Sequence, residues 1–247
     1  MANINKNQKP DIVFISGTGR SGTHLVGETI ATHPEVVGRI EEKETFRLIT
    51  ELATGQADKP WWINRYKKWR LKRKMQAVIS KESKIVLEKS HPSLWLAEDL
   101  MNWFTNCKFI LIYRSPEATV SSMLDHKGVM KWYQTLSQDT PNAFLGITSK
   151  NKPFFQNLKK EEKCALRWKS HKREIDRLDS LYPDQTLTIN YEKFINKPDY
   201  YIGIIAEFIG VSKNFELDQI KTSSLDKWKQ RLTQEQLHRI EEILQTA

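Results

Sequence analysis

DIVFISGTGRSGTHL, from Asp11 to Leu25, joins a short apolar run to a glycine-rich turn and then to a helical pattern. This order is typical of a buried strand that leads through a phosphate loop into a helix. Gly17, Gly19 and Gly22 let the backbone approach a ligand closely, so that amide groups and the helix N-terminus can converge on an anion. The stretch therefore predicts a phosphate-binding site, and the alternative is a glycine turn that holds no ligand.

The loop differs from the commonest phosphate loop, in which a lysine follows the last glycine. Here Thr23 follows Gly22, and the positive charge stands earlier, at Arg20. A later apolar run, residues 109–113, ends in Arg114, where a nucleotide hydrolase would need an aspartate for Mg²⁺. Both differences favour a site built for anions without a metal ion.

Length, charge and cysteine content point to one α/β domain. A chain of 247 residues can bury a single core. The net charge of +9 is local, because residues 59–81 hold nine basic residues and no acidic one. Two cysteines make no disulfide framework, and there is no long apolar run. We expect a cytoplasmic protein without a membrane span, with a flexible N-terminus over residues 1–10 and a domain over residues 11–247.

Strand and helix patterns alternate along the chain. Apolar runs predict strands at residues 12–15, 84–88, 108–113 and 186–190, and residues 35–40 are either a strand or a connection. The order predicts a mostly parallel sheet with helices on both faces. Lys89 follows the second of these runs, at the edge where such sheets bind ligands. The loop-rich residues 126–156 are interpreted as a lid or a substrate-recognition insertion.

The basic segment, residues 59–81, has helical composition, but its apolar residues change sides. Trp62, Tyr66 and Trp69 share one face, and Leu71, Met75 and Val78 lie on the opposite face. The helix is therefore expected to touch two surfaces or to break near Trp69. Its charge fits a solvated stripe, a nucleic-acid patch, a membrane-surface helix or, as preferred here, a cleft for an anionic substrate.

Two motifs resemble those of the phosphate-loop sulfotransferases, which use 3′-phosphoadenosine 5′-phosphosulfate (PAPS). The loop from Thr18 to Leu25 is similar to the family pattern [PT]-x-[KR]-S-G-T-[TS]-x-L. Arg114 at a strand end, with Ser122 eight residues on, is similar to the family's second motif.

The resemblance is nearest to the branch with protein-tyrosine sulfotransferases and related bacterial enzymes. That branch reads HPEVRCGEETR after the first helix, similar to His33–Val36 followed by Glu44–Arg47 here. It also has a strand-end lysine before Asp-Pro, where this chain has Lys89 before a His-Pro pair. Further similarities are Tyr191-Glu192, Ser224 and Lys227-Trp228.

The resemblance implies transfer of a sulfuryl group from PAPS to a hydroxyl acceptor, without a metal. Arg20 would contact the sulfuryl group, Lys89 would stabilise the leaving group, and Glu44 would be the general base. The register after Val36 is ambiguous, so Glu42 is the alternative base. The residues implied to bind PAPS are Gly19, Arg20, Ser21, Gly22, Thr23, His24, Arg114, Ser122, Tyr191, Ser224 and Lys227.

Two other functions remain open from the sequence. One is a kinase-like phosphoryl transferase, which the missing loop lysine and metal-binding aspartate disfavour. The other is a nucleic-acid-binding protein that uses residues 59–81, although no nucleic acid is expected as a partner. The acceptor could be a phenol, a carbohydrate or a peptide tyrosine.

Overall fold

Five parallel strands form the central sheet of the computed structural model, which describes residues 9–55, 60–218, 220 and 225–245. The strands lie in the order β2-β3-β1-β4-β5. Residues 35–40 thus contain a strand rather than a connection. The strands are β1 (Ile12–Gly17), β2 (Val36–Ile40), β3 (Ile85–Lys89), β4 (Cys107–Tyr113) and β5 (Thr186–Asn190).

Helices connect the strands and cover both faces of the sheet. They are α1 (Thr23–Ala31), α2 (Lys43–Ala53), α3 (Trp61–Ile79), α4 (Ala97–Trp103), α5 (Pro116–Leu124), α6 (Lys127–Thr135), α7 (Lys152–Phe155), α8 (Lys160–Leu181), α9 (Tyr191–Asn196), α10 (Pro198–Ile209) and α11 (Gln234–Gln245). Short 3₁₀ helices span His91–Leu96, Ala143–Leu145 and Lys227–Gln230. No helix within the described ranges combines the length and apolar character that crossing a membrane needs.

The central strand β1 is buried along its whole length, and its side chains alternate between two apolar clusters. Ile12 and Phe14 pack with residues of α2, α3, α4 and α8, and the ring of Phe14 stacks on Phe109 at 4.7 Å between centroids. Val13 and Ile15 pack with residues of α1, α9 and α10 on the other face. The predicted two-sided α/β fold is confirmed.

The strand order places a crevice above the carboxyl end of β1. The chain runs from β1 to β2 on one side and later crosses from β3 to β4 on the other side of β1. Such a reversal of direction separates the connecting segments and is where open α/β sheets bind ligands. Lys89 lies beside Ile15 and Ile40 in the strand pairing, so it stands at this edge as expected.

The basic segment forms one unbroken helix from Trp61 to Ile79, so the predicted break near Trp69 is wrong. Leu71 and Met75 are buried in the core cluster that α3 shares with α2 and α4. Trp62, Tyr66 and Trp69 are more than half exposed, so they do not pack on a second surface. Lys59, at the start of the predicted segment, lies outside the described residues.

The stretch from residue 126 to 156 is more ordered than a loop. It contains α6, α7 and a 3₁₀ helix, and Phe144, Leu145, Ile147 and Phe155 form a small apolar cluster of their own. The role of this stretch as a lid or recognition element stays a prediction.

Replacement of Leu71 tests which side of α3 faces the core. Leu71→Ala should lower the free energy of unfolding by about 2–5 kcal/mol, because it empties a fully buried position. Trp62→Ala, on the exposed side, should change it by about 0.5 kcal/mol or less. Urea denaturation measures both values. Equal losses would show that the aromatic side of α3 also packs on the protein.

Candidate functional site

A cavity of about 840 Å³ opens at the carboxyl end of the sheet. Its wall combines the phosphate loop, α1, α5, α6 and the residues that follow β2, β3, β4 and β5. Most of the residues predicted to bind the cofactor line it, namely Gly19, Arg20, Gly22, Thr23, His24, Arg114, Ser122, Tyr191 and Lys227. Lys89 lines it as well. The topology therefore brings distant parts of the sequence to one place.

Two further residues were predicted to bind the cofactor. Ser21 is buried, and its hydroxyl donates to the carbonyl oxygens of Thr18 and Ile112, so its side chain holds the loop in shape. Ser224 lies outside the described residues.

The phosphate loop is packed so closely that Gly19 and Gly22 leave no room for a side chain. Gly22 has φ +88° and forms the N-cap of α1, and a Cβ atom there would overlap the ring of Tyr191. A Cβ atom at Gly19 would press on the imidazole of His91. The loop leaves the first amides of α1 at the cavity, where they and the helix dipole favour a bound anion.

Backbone strain concentrates at this cavity. Among the described residues, Arg20 (φ 76°) and Glu41 (φ 51°) are the two non-glycine residues with positive φ. This conformation costs roughly 1–2 kcal/mol for an L-residue and is most often retained where function requires it. Both residues line the cavity, and their side chains bring opposite charges to it.

Glu41 is the carboxylate that pairs with Lys89. The amide of Glu41 donates to the carbonyl oxygen of Lys89 at 2.9 Å, which extends the pairing of β2 and β3 by one residue. The buried ammonium group of Lys89 donates to Oε1 of Glu41, and Nδ1 of His91 lies 3.9 Å from the same oxygen. The left-handed turn at Glu41 thus directs its side chain over the end of β3.

These contacts change the acidity of both groups. Burial lowers the pKa of Lys89, against the opposing attraction of Glu41. Burial also raises the pKa of Glu41, but its contacts with His91 and the charge of Lys89 outweigh that effect and bring the pKa to about 2. Glu41 is therefore ionised at neutral pH.

The structure does not bring the two glutamates predicted as the base to the cavity. Glu44 pairs with Arg70 and accepts a hydrogen bond from Nζ of Lys74 at 2.8 Å. Glu42 pairs with Lys74 and Arg39 at 3.2 and 3.4 Å. The reason is the turn at Glu41, after which α2 begins at Lys43, so that the next carboxylates lie beside α3.

Arg114 occupies the opposite side of the cavity, after β4. Its guanidinium lies over the ring of Tyr191 at 5.2 Å, its Nε is 3.7 Å from Glu192, and its Nη2 donates to the carbonyl oxygen of Leu225 at 3.4 Å. Its own carbonyl oxygen accepts a hydrogen bond from the indole of Trp168 at 2.9 Å. These contacts fix a nearly buried cation in place, as an anion-binding position requires.

Arg20 and Ser122, predicted from separate motifs, are direct neighbours. Nε of Arg20 donates to the hydroxyl of Ser122 at 3.2 Å. Burial and the charge of Arg20 lower the pKa of the nearby His126, whose Nδ1 accepts a hydrogen bond from the amide of Val129 and caps α6. The loop and the segment after β4 therefore meet across the cavity.

Sequence reasoning missed several residues of the wall and one residue behind it. His126, Trp132 and Arg231 line the cavity. Arg167 is fully buried with its guanidinium 4.7 and 4.5 Å from the rings of Trp132 and Phe144, and it has no hydrogen-bond partner among the described residues. A lone arginine within a long helical pattern carries no signal that could have identified it.

The buried imidazole of His91 predicts a pH dependence of stability. Burial lowers the pKa of His91 to about 4, whereas an unfolded histidine titrates near 6.5. Only the unfolded chain binds this proton between those values, so the free energy of unfolding falls as the pH falls from about 6.5 to 4. This residue contributes roughly 3 kcal/mol at most, and His171, whose pKa burial also lowers, adds to the effect.

Thermal or urea denaturation across that pH range measures the slope. His91→Gln should make the slope shallower, whereas His238→Gln, at an exposed position of α11, should leave it unchanged. An unchanged slope in His91→Gln would mean that His91 is protonated in the folded protein at these pH values.

The chain matches known proteins over nearly its whole length. The family model described as "Sulfotransferase domain" covers residues 10–247. A curated relative, the putative protein-tyrosine sulfotransferase of Caenorhabditis briggsae, is 22% identical over 208 residues, which are 80% of this chain and 65% of the relative. The chain thus spans just under two thirds of that relative's length.

Solved structures share the fold. The sulfotransferase domain from the curacin biosynthetic pathway has a TM-score of 0.62 and 14% identity, over 98% of this chain and 99% of that one. The sulfotransferase domain from the Synechococcus PCC 7002 olefin synthase has a TM-score of 0.56 and 16% identity, over 97% of this chain and 98% of that one. Mouse sulfotransferase SULT7A1, complexed with PAP, has a TM-score of 0.51 and 14% identity, over 96% and 84%.

Proposed function

This chain belongs to the sulfotransferase domain family, and on that premise we propose that it transfers a sulfuryl group from PAPS to a hydroxyl acceptor. The observation that carries the proposal is the meeting of Arg20, Lys89 and Glu41 in one cavity. Sulfuryl transfer requires cations where negative charge develops on the leaving phosphate and a base where the acceptor loses its proton. In this cavity, Arg20 and Lys89 would be the cations and Glu41 would be the base.

The lining of the cavity supports PAPS as the ligand, because cations and helix amides stand at two separate places where its anionic ends could bind. The amides of Gly22, Thr23 and His24, at the start of α1, would hold the 5′-phosphate. A side chain at position 22 would overlap the ring of Tyr191, so the loop has this shape because glycine stands there. Arg114 would hold the 3′-phosphate, with Ser122 and Lys227 beside it. PAP is 3′-phosphoadenosine 5′-phosphate, the product that remains when PAPS has lost its sulfuryl group. Its presence in the mouse structure supports PAPS as the ligand of this chain. When bound, PAPS supplies the sulfuryl group and the phosphate on which charge develops.

Glu41, rather than Glu44, is proposed as the general base. Glu41 would accept the proton of the acceptor hydroxyl as its oxygen forms the bond to sulfur. Lys89 and Arg20 would neutralise the charge left on the phosphate oxygen as the old bond between oxygen and sulfur breaks. No metal ion is needed for this charge balance, because two cations of the chain already face the site.

A lowered pKa does not prevent this role. It makes Glu41 a weak base, but it keeps the carboxylate ionised and available at neutral pH. A positioned general base contributes about 10²–10⁴-fold to a rate, and the proton need move only as the new bond forms.

Aromatic side chains around His91, whose imidazole lies near Glu41, favour an acceptor with a flat ring. The rings of Phe46 and Trp132 each lie 6.0 Å from that of His91, and all three residues line the cavity. Phenols and peptide tyrosines have such a ring, and the name of the Caenorhabditis relative is in line with a tyrosine acceptor. No residue from 60 to 81 lines the cavity, which removes the support for an anionic acceptor bound by the basic segment.

Ligand binding tests the cofactor half of the proposal. PAP at a hundredfold excess over its dissociation constant should raise the free energy of unfolding by about 2.7 kcal/mol, without added metal. Arg114→Ala should weaken the binding of PAP by roughly 10- to 100-fold, because it removes charge-assisted hydrogen bonds to the 3′-phosphate. It should scarcely change the affinity for AMP, which lacks that phosphate. Thermal shift and calorimetry measure both effects.

The control is Arg173→Ala, at an exposed position of α8, which should bind PAP like the wild type. Stabilisation only in the presence of Mg²⁺ would contradict the assignment. If Arg114→Ala weakened the binding of PAP and of AMP equally, Arg114 would have a structural role and would not bind the 3′-phosphate.

Paired glutamate variants test the catalytic half. Glu41→Gln should lower turnover by about 10²–10⁴-fold and leave the affinity for PAP within a few fold, because the base contributes to the transfer step. Glu44→Gln should remain active, since its carboxylate pairs with Arg70 and Lys74 outside the cavity. The measurement is transfer of labelled sulfuryl groups at saturating PAPS, with melting curves to confirm that both variants fold. The reverse result would identify Glu44 as the base, and two active variants would place the base elsewhere.

A further inference from the structure

The first nine residues of α3 carry a cluster of exposed aromatic side chains. Trp61, Trp62, Tyr66 and Trp69 are between 55% and 72% exposed. They are four of the seven large hydrophobic side chains found exposed in the described ranges, and the other three lie far apart in the sequence. We call these four residues the aromatic face of α3. Exposed rings at this density mark an interaction surface.

The cations of α3 divide into two groups. Lys67, Lys68, Arg70 and Lys74 form ion pairs with carboxylates of α2, α4 or the turn before α2. Arg65, Lys72 and Arg73 form none within the part of the chain that the structure describes. The second group is the one that borders the aromatic face, and Arg73 lies over the ring of Trp69 at 5.7 Å. The positive charge that α2 and α4 do not neutralise is thus concentrated beside the exposed rings.

Helical geometry places these residues together. At 100° per residue, Trp62, Tyr66, Trp69 and Arg73 lie along one line of the helix, with Arg65 and Lys72 on one flank. An open groove of about 580 Å³ follows that flank, where Trp61, Trp69 and Trp103 stand beside Arg65, Lys68 and Lys72. Rings and cations therefore alternate across a single surface, and no acidic residue occurs between residues 60 and 81.

We propose that the aromatic face of α3 docks the protein on the surface of an anionic lipid bilayer. Tryptophan and tyrosine concentrate at the boundary between headgroups and acyl chains, because their rings are apolar and carry a polar edge. Arginine and lysine at the same level attract anionic headgroups. The combination of exposed rings and unneutralised cations on one surface helix is that of an interfacial helix.

Charge argues against a second copy of the chain on this surface. A symmetric dimer would place Arg65, Lys72 and Arg73 opposite the same three cations, with no acidic side chain on the face to offset them. Geometry argues against a nucleic acid. Single-stranded nucleic acids stack their bases on free ring faces, whereas Tyr66 and Trp69 stack on each other at 5.8 Å and Arg73 lies over the ring of Trp69.

The proposal is independent of the proposed sulfuryl transfer, because none of these residues lines the catalytic cavity. Its test can therefore be made without PAPS. Membrane binding and ligand binding should separate cleanly: variants of the aromatic face should bind PAP like the wild type.

Vesicle co-sedimentation of the full chain tests the proposal. The protein should bind phosphatidylcholine vesicles that contain phosphatidylglycerol, bind pure phosphatidylcholine far more weakly, and lose binding as salt is added. The triple variant Arg65→Gln/Lys72→Gln/Arg73→Gln should bind the anionic vesicles roughly a hundredfold more weakly. The triple variant Trp62→Ser/Tyr66→Ser/Trp69→Ser should lose binding and also the blue shift of tryptophan fluorescence that vesicles cause in the wild type.

Matched controls replace residues of the same types elsewhere. Phe154→Ser/Tyr200→Ser removes two other exposed rings, and Lys150→Gln/Lys152→Gln/Lys213→Gln removes three exposed cations. Both should bind vesicles like the wild type. If the control variants lost vesicle binding as strongly as the α3 variants do, the proposal would be overturned, because the loss would then not depend on the aromatic face of α3.

Three further outcomes would also overturn it. The first is equal binding to neutral and anionic vesicles. The second is tight binding of an oligonucleotide that the α3 variants lose, with no vesicle binding. The third is a concentration-dependent dimer that the same variants dissolve, again with no vesicle binding.

Discussion

A buried ammonium group at the end of β3 constrains the architecture around it. Lys89 is enclosed by the sheet edge, and a charge in that position is unfavourable unless an opposite charge is placed against it. Glu41 is that charge, and it reaches Lys89 only because its backbone takes a left-handed conformation. The strained backbone at Glu41 is therefore the condition for the ion pair between Glu41 and Lys89.

Under the proposed function, the same pair would let the site receive an anion without losing its stability. While no anion is present, Glu41 balances Lys89. In the proposed reaction, a phosphate or sulfuryl oxygen would lie against both Lys89 and Arg20 and would leave Glu41 available for a proton. On this proposal, the cavity is preorganised around charges that would exchange their partners when an anionic group is transferred.

The sequence predicted the central part of the fold well because those elements have local signals. β1, the phosphate loop and β4 with Arg114 follow from apolar runs, glycines and the residues at strand ends, and the resemblance added Ser122 and Tyr191. Glu41 was missed because its position depends on a backbone angle. The family stretch HPEVRCGEETR ends in Glu-Thr-Arg, and this chain has Glu44-Thr45 followed by Arg47. Because of this match, the base of the family was aligned with Glu44. Aligned from His33 without a gap, the second residue of the Glu-Glu pair in that stretch falls on Glu41.

The basic segment shows a second limit of sequence reasoning. Counting charges gave nine cations in one segment, but the count could not show that α2 and α4 supply carboxylates for four of them. Nor could periodicity show that the aromatic side of α3 stays exposed, because an apolar residue on a helix is more often packed than free. Both facts arise from tertiary contacts between elements that are distant in the sequence.

The central claim is that this cavity transfers sulfuryl groups with cations and a carboxylate of the chain itself. The most direct measurement incubates the protein with PAPS labelled in the sulfuryl group and with pools of phenols, carbohydrates and tyrosine peptides, in the presence of a chelator. The account predicts that label appears on the hydroxyl of a phenolic acceptor. No transfer of label to any pool, together with phosphoryl transfer from Mg-ATP to the same pools, would contradict it.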